Sequence, residues 1–220
     1  MVELLECVRR LGPGVEFRCD EFRAEAGEMV ALCGPSGCGK STLLNLISGL
    51  LRPDKGVIRV DGAEIQNFSE EEMDKFRGER IGFVFQTFNL LQPFTAIQNV
   101  MLGMRFSDTR SSAEWKPRAM ELLDRVGLSH RCNSKPKTMS VGEQQRVAIA
   151  RALANRQKLI LADEPTGSLD PKTAAEVMDL LLKLCVEEKV TLLLVTHDPS
   201  IAARFPRVYD CTHLVKDLNG

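Results

Sequence analysis

Residues 34–41 read Gly-Pro-Ser-Gly-Cys-Gly-Lys-Ser, three glycines in a run that closes on a lysine and a hydroxyl. Glycine lets successive backbone N–H groups turn toward one centre, so a segment of this spacing can wrap an anion. The apolar run 29–33 before it reads as a strand, and the apolar spacing of 41–51 after it reads as a helix whose positive end faces the same centre. In that context the match to G-x-x-x-x-G-K-[ST] predicts a phosphate loop. Gly34, Pro35, Ser36, Gly37, Cys38 and Gly39 form its backbone, Lys40 reaches β- and γ-phosphates, Ser41 ligates Mg²⁺, and Thr42 follows in the helix. Alone, this loop leaves kinase, GTPase, motor and transporter ATPase open.

Two further groups narrow the chemistry. Leu159-Ile-Leu-Ala is an apolar strand that ends in Asp163 and Glu164, placing two carboxylates at the mouth of an α/β sheet, where ligands bind. Asp163 is suited to holding Mg²⁺, and Glu164 is free to take a proton from an attacking water. Ser140-Val-Gly-Glu143 has the spacing of a capping box that starts a helix, and a helix N-terminus with small residues is a second anion site.

These groups need elements to hold them. Residues 57–60 alternate as a strand and close on the turn pair Asp61-Gly62; 81–85 form a second apolar strand ending at Gln86. The spacing predicts helices over 113–126, 141–155 and 173–188, a loop over 130–138, and buried strands over 158–162 and 190–196. Strands alternating with helices predict an α/β fold with a mainly parallel sheet and a helical lobe inserted between two of its strands.

Composition sets the limits. With 29 Lys+Arg against 30 Asp+Glu the net charge is −1, which argues against a dedicated nucleic-acid binder. No stretch approaches the ~20 apolar residues of a membrane helix, and acidic residues stand where a signal peptide carries basic ones. The seven cysteines have no close pairing or zinc spacing, so they read as free thiols in a reducing cytoplasm.

Taken together, the chain resembles the ATP-binding-cassette (ABC) ATPases along essentially its whole length. Met139-Ser-Val-Gly-Glu143 looks like the family's signature, Gln86 stands where the family carries its metal- and water-sensing glutamine, Ser168-Leu-Asp170 resembles the loop that crosses to the other subunit, and His197 matches the histidine that contacts γ-phosphate. Phe85-Gln-Thr-Phe-Asn-Leu-Leu91 and Ala162-Asp-Glu-Pro-Thr-Gly-Ser-Leu-Asp170 are most similar to the lipoprotein-release, macrolide-export and cell-division group (LolD, MacB and FtsE).

The resemblance implies a P-loop ATPase fold over 1–220: an N-terminal antiparallel β part and a parallel core from 1–86 and 157–220, with a helical subdomain over roughly 87–156. It implies an ATPase that uses ATP and Mg²⁺, with Glu164, His197 and Gln86 catalytic and Ser41, Gln86 and Asp163 on the metal. Nucleotide contacts come from 34–42 and from Ser140, Gly142, Glu143 and Asp170. The partners implied are a second copy, paired head to tail over two ATP, and a separate membrane permease that holds the protein on the inner face of the membrane. Phe88, Leu90, Leu91 and Phe94 are candidates for the permease groove or for core. A cell-division ATPase that gates without transport, or a soluble ABC ATPase, are the alternatives.

Two positions depart from the pattern. Val141 replaces a glycine, so either that position is not left-handed or its backbone has shifted. The stretch 8–15, where the family stacks adenine, has no aromatic residue; Phe17 is the nearest, as a stacking partner or as core.

Overall fold

The computed structural model describes residues 1–107 and 111–217. In chain order the elements are β1 (Val2–Gly12), β2 (Val15–Ala24), β3 (Met29–Cys33), α1 (Lys40–Ile47), β4 (Lys55–Val60), β5 (Ala63–Glu64), α2 (Glu70–Arg80), β6 (Ile81–Phe85), α3 (Ala96–Leu102), α4 (Ser112–Arg125), α5 (Val141–Ala152), β7 (Leu159–Asp163), α6 (Pro171–Glu188), β8 (Thr191–Val195), α7 (Pro199–Ala202), β9 (Arg207–Asp210) and β10 (Val215–Asp217). They form two compact units, Met1–Met73 with Thr191–Gly220, and Asp74–Val190. The boundaries read from the sequence, at 86 and 157, follow the motifs instead.

The first unit carries an antiparallel sheet in the order β10-β2-β1-β4-β5. Burial alternates along β1, with Val2 and Leu4 inside and Glu3 and Leu5 less buried, until a register shift between Leu5 and Val8 in its pairing with β4. Gly56 is required there: its φ is +95°, and a Cβ would fall 2.5 Å from the Glu6 carbonyl oxygen. The same unit holds three parallel strands, β8-β3-β9, with Leu32 opposite Val195 and Tyr209. All five residues of β8 are buried, as a strand covered on both faces demands.

In the second unit β6 and β7 pair in parallel, with Phe85 opposite Asp163. Helices α3, α4, α5 and α6 pack around one apolar centre that includes Val100, Leu122, Ile149 and Leu181. Arg118, nearly buried on α4, and Arg125 both bond Glu188 at the end of α6. The segment expected as a loop over 130–138 contains two short 3₁₀ turns, Ser129–Arg131 and Pro136–Thr138. α2 escaped the periodicity reading because Met73 is its one buried residue.

Candidate active site

The phosphate loop joins β3 to α1. Gly34, Gly37 and Gly39 all have left-handed φ, at +148°, +80° and +102°. Gly39 also lacks room for a side chain, since a Cβ would sit 3.1 Å from both Phe17 and Val215. Phe17 is fully buried beneath the loop, which assigns it to the core and leaves its ring faces covered. Lys40, only 8% exposed, donates from Nζ to the carbonyls of Gly34 at 2.7 Å and Pro35 at 2.8 Å, with Cys38 Sγ at 3.8 Å. Pro35, Ser36 and Gly37 are exposed at the rim; Ser41 is exposed in the first turn of α1 and Thr42 half-buried behind it.

Three thiols stand near this loop. Burial raises the Cys33 thiol, an effect the nearby Lys40 charge partly offsets, and burial pushes Cys211 up to about 12. His197 belongs to the same unit. It is exposed just beyond β8, and Thr196 before it donates its N–H to Leu32 of β3. The loop and His197 therefore leave the carboxyl ends of two paired parallel strands.

The second unit gathers the other group. The register of Phe85 with Asp163 brings Gln86 and Glu164 out of adjoining strand ends. Ser168 Oγ donates to the Gln86 carbonyl at 3.0 Å, and a Cβ on Gly167 would lie 2.9 Å from Gln86 Nε2. Asp163 and Glu164 are both half-buried, and Glu164 has φ +44°, a left-handed conformation uncommon for glutamate. Asp170 caps α6 through Thr173 N–H, and hydrogen bonds from the Thr173 side chain first and its N–H second hold the carboxyl below the ordinary aspartate range.

The capping box read at Ser140 is present. Ser140 Oγ accepts from Glu143 N–H at 3.2 Å, while Glu143 Oε2 accepts from Ser140 N–H at 2.7 Å. The Arg131 guanidinium donates to Glu143 and lowers its carboxyl. Val141 is the first residue of α5 with a right-handed backbone, so the position is not left-handed and a β-branched residue fits. Gly142 is the constrained one: a Cβ would fall 2.5 Å from Thr173 Cγ2.

Sequence reasoning missed two side chains of α5. Gln145, fully buried, donates to the Pro165 carbonyl, and Arg151 donates to the carbonyls of Phe88 and Asn89 at 2.7 and 2.6 Å. The available signal was a polar residue in the buried stripe 145-148-149-152. Among the described residues no group of three His, Cys, Asp or Glu could hold a metal. Ser41 in the first unit and Gln86 and Asp163 in the second carry oxygens of the hard type that Mg²⁺ takes.

The family model described as ABC transporter matches residues 18–167. The chain belongs to that family. The cassette is 49% identical over 183 residues to the lipoprotein-releasing system ATP-binding protein LolD 1 of Chlorobium chlorochromatii, covering 83% of this chain and 74% of that one. It is 49% identical to the macrolide export ATP-binding/permease protein MacB of Rhodopirellula baltica, over 84% of this chain and 27% of that larger protein. The solved dimeric cassette MJ0796, bound to ADP and Pi in a post-hydrolysis state, superposes with a TM-score of 0.84 at 38% identity, with all of both chains covered. The cassette is thus an ABC ATPase. Among the described residues, no helix is long and apolar enough to cross a membrane.

Proposed function

We propose that the cassette binds Mg-ATP through its phosphate loop and hydrolyses it in a head-to-tail homodimer that drives a membrane permease of the lipoprotein-release or macrolide-export type. The observation that carries this reading is the pair of helix N-termini built for anions, α1 behind Gly34–Gly39 and α5 behind Ser140. Each ATP would lie between Lys40 of one subunit and the partner's Ser140 and Gly142, the head-to-tail pairing that the family resemblance implies. The capping box removes the objection to Glu143 beside phosphate: its carboxylate turns back to the Ser140 N–H.

Within the site Lys40 exchanges its loop carbonyls for β- and γ-phosphate oxygens. Glu164 takes a proton from the attacking water as general base, and His197 and Gln86 orient the γ-phosphate and that water. Asp170 belongs to the segment that crosses to the partner. Ser41, Asp163 and Gln86 would hold Mg²⁺, which neutralises charge on the phosphates when bound.

The permease would dock on the second unit. A cavity of about 450 Å³ there is lined by Phe83, Phe85, Leu102 and Phe106, the last 65% exposed. Of Phe88, Leu90, Leu91 and Phe94, Leu90 is core, Leu91 is exposed, and Phe88 and Phe94 are half-buried.

The test is Glu164→Gln, which keeps the shape of the site and removes the base. ATP should convert this variant from monomer to dimer in size-exclusion chromatography, and Ser140→Arg should abolish the conversion. A Glu164→Gln protein that remains monomeric at saturating ATP, alone and with its permease, sinks the reading.

A further inference from the structure

The turn that presents Glu164 is held in an unfavourable backbone conformation. Glu164 sits at φ +44° and precedes Pro165, a position that favours extended backbone. Such a conformation persists where its surroundings over-determine it. Part of the hold is local, since Gly167 N–H donates to the Glu164 carbonyl at 3.1 Å. Part comes from another element: Gln145, about one turn into α5, reaches from within the core and donates Nε2 to the Pro165 carbonyl at 2.5 Å. Pro165 O can only accept, so the orientation of the amide is fixed by its partner.

Gln145 is a poor choice for stability. Its side chain is fully buried, and its Oε1 has no hydrogen-bond partner. An unpaired buried acceptor is costly, and an apolar side chain of the same length would avoid that cost. Its neighbours in the buried stripe, Ala148, Ile149 and Ala152, are all apolar. A buried amide that is half satisfied, and whose satisfied half grips the carbonyl next to a strained glutamate, has a use other than packing.

We propose that Gln145 is a positioning residue for ATP hydrolysis: its buried amide fixes the Pro165 carbonyl and so holds the left-handed turn in which Glu164 meets the attacking water. The inference rests on the reading of Glu164 as general base. It also ties the helix that begins at Ser140 to the turn that carries the base, so a displacement of α5 is passed to Glu164 through one hydrogen bond.

The test uses the purified full chain and three variants: Gln145→Met, Glu164→Gln and the double variant. Gln145→Met keeps length and volume and removes the donor. Its kcat should fall about tenfold or more, because a misplaced base is costly, with KM for ATP within about twofold and a thermal midpoint equal to or above that of the wild type. In the Glu164→Gln background the same change should leave the residual kcat unaltered, since the group it positions is gone. An unchanged kcat in Gln145→Met, or multiplicative losses in the double variant, overturns the proposal. So does a kcat loss matched by a lower thermal midpoint, which assigns the amide to structure. If Gln145→Met does not fold, Gln145→Asn, the same amide one methylene shorter, is read in the same way; failure of both to fold assigns Gln145 to stability and overturns the proposal. Wild-type turnover in Glu164→Gln removes the general-base reading itself and is distinguishable from all of these.

Discussion

Arg131 donates from Nε to the Glu143 carboxylate at 3.1 Å, across the capping box that starts α5. This hydrogen bond is the main reason the Glu143 carboxyl lies below its ordinary value, with the Ser140 N–H adding to it. A depressed folded value means the interaction stabilises fully above the unfolded value of ~4.3 and is lost as pH falls through the folded one. Glu143→Gln should cost ~1 kcal/mol at pH 7 by loss of the charge-assisted bonds. The gap to wild type in urea midpoints should close below the ordinary carboxylate range. A gap that stays constant from pH 7 to pH 3 would contradict this account.

Position 141 gives a prediction opposite to the pattern of its family. Val141 already has helical backbone, so Val141→Gly should leave ATP-driven dimerisation as it was and lower stability by a few tenths to ~1 kcal/mol through glycine's helix penalty. Gly142→Ala should do more harm although alanine is the better helix former, because its methyl meets Thr173. Thr173→Ser should relieve that clash. Thermal midpoints of Gly142→Ala with and without Thr173→Ser measure it; no recovery in the pair would refute the contact.

The nucleotide loop places a thiol beside its lysine. Cys38 Sγ is 3.8 Å from Lys40 Nζ, and a Cβ on Gly34 would sit 2.7 Å from the same sulfur. There is no room for an adduct. N-ethylmaleimide at Cys38 should abolish binding of a fluorescent ATP analogue, prior ATP should protect, and Cys38→Ser should be resistant. Full binding by a protein shown by mass spectrometry to be alkylated at Cys38 would exclude this.

Base selectivity should be weak. Phe17 is buried under Gly39 and offers no face to a purine, and residues 8–15 supply no other ring. Aromatic stacking contributes ~1–3 kcal/mol per base. Without it, Kd values for ATP and GTP should agree within about tenfold by equilibrium titration. A preference for ATP of a hundredfold or more would mean that another group reads the adenine.

Much of the site was legible because its chemistry needs fixed spacing. Gly34–Ser41 can be read from the residue types, and the run 159–162 reads as a buried strand because both of its faces are covered. The capping box at Ser140 and Glu143 is local, so its spacing alone reveals it. What escaped depends on tertiary contact. Whether Phe17 was core or a stacking platform required the location of Gly39, and α2 has too little apolar surface for periodicity to register. Gln145 and Arg151 act on loops 20 and 62–63 residues away, a pairing no local pattern encodes.

Lys40 has one more consequence. Its ammonium already spans two carbonyl oxygens of its own loop, so the loop is preassembled around an internal ligand. An incoming anion enters as a competitor for that ammonium and must outbid two dipoles held at short range. A singly charged ion offers little advantage over them, whereas adjacent β- and γ-phosphates offer several charges at once. The loop should therefore discriminate by charge: chloride should leave the two Lys40 bonds in place, and a polyphosphate should replace them.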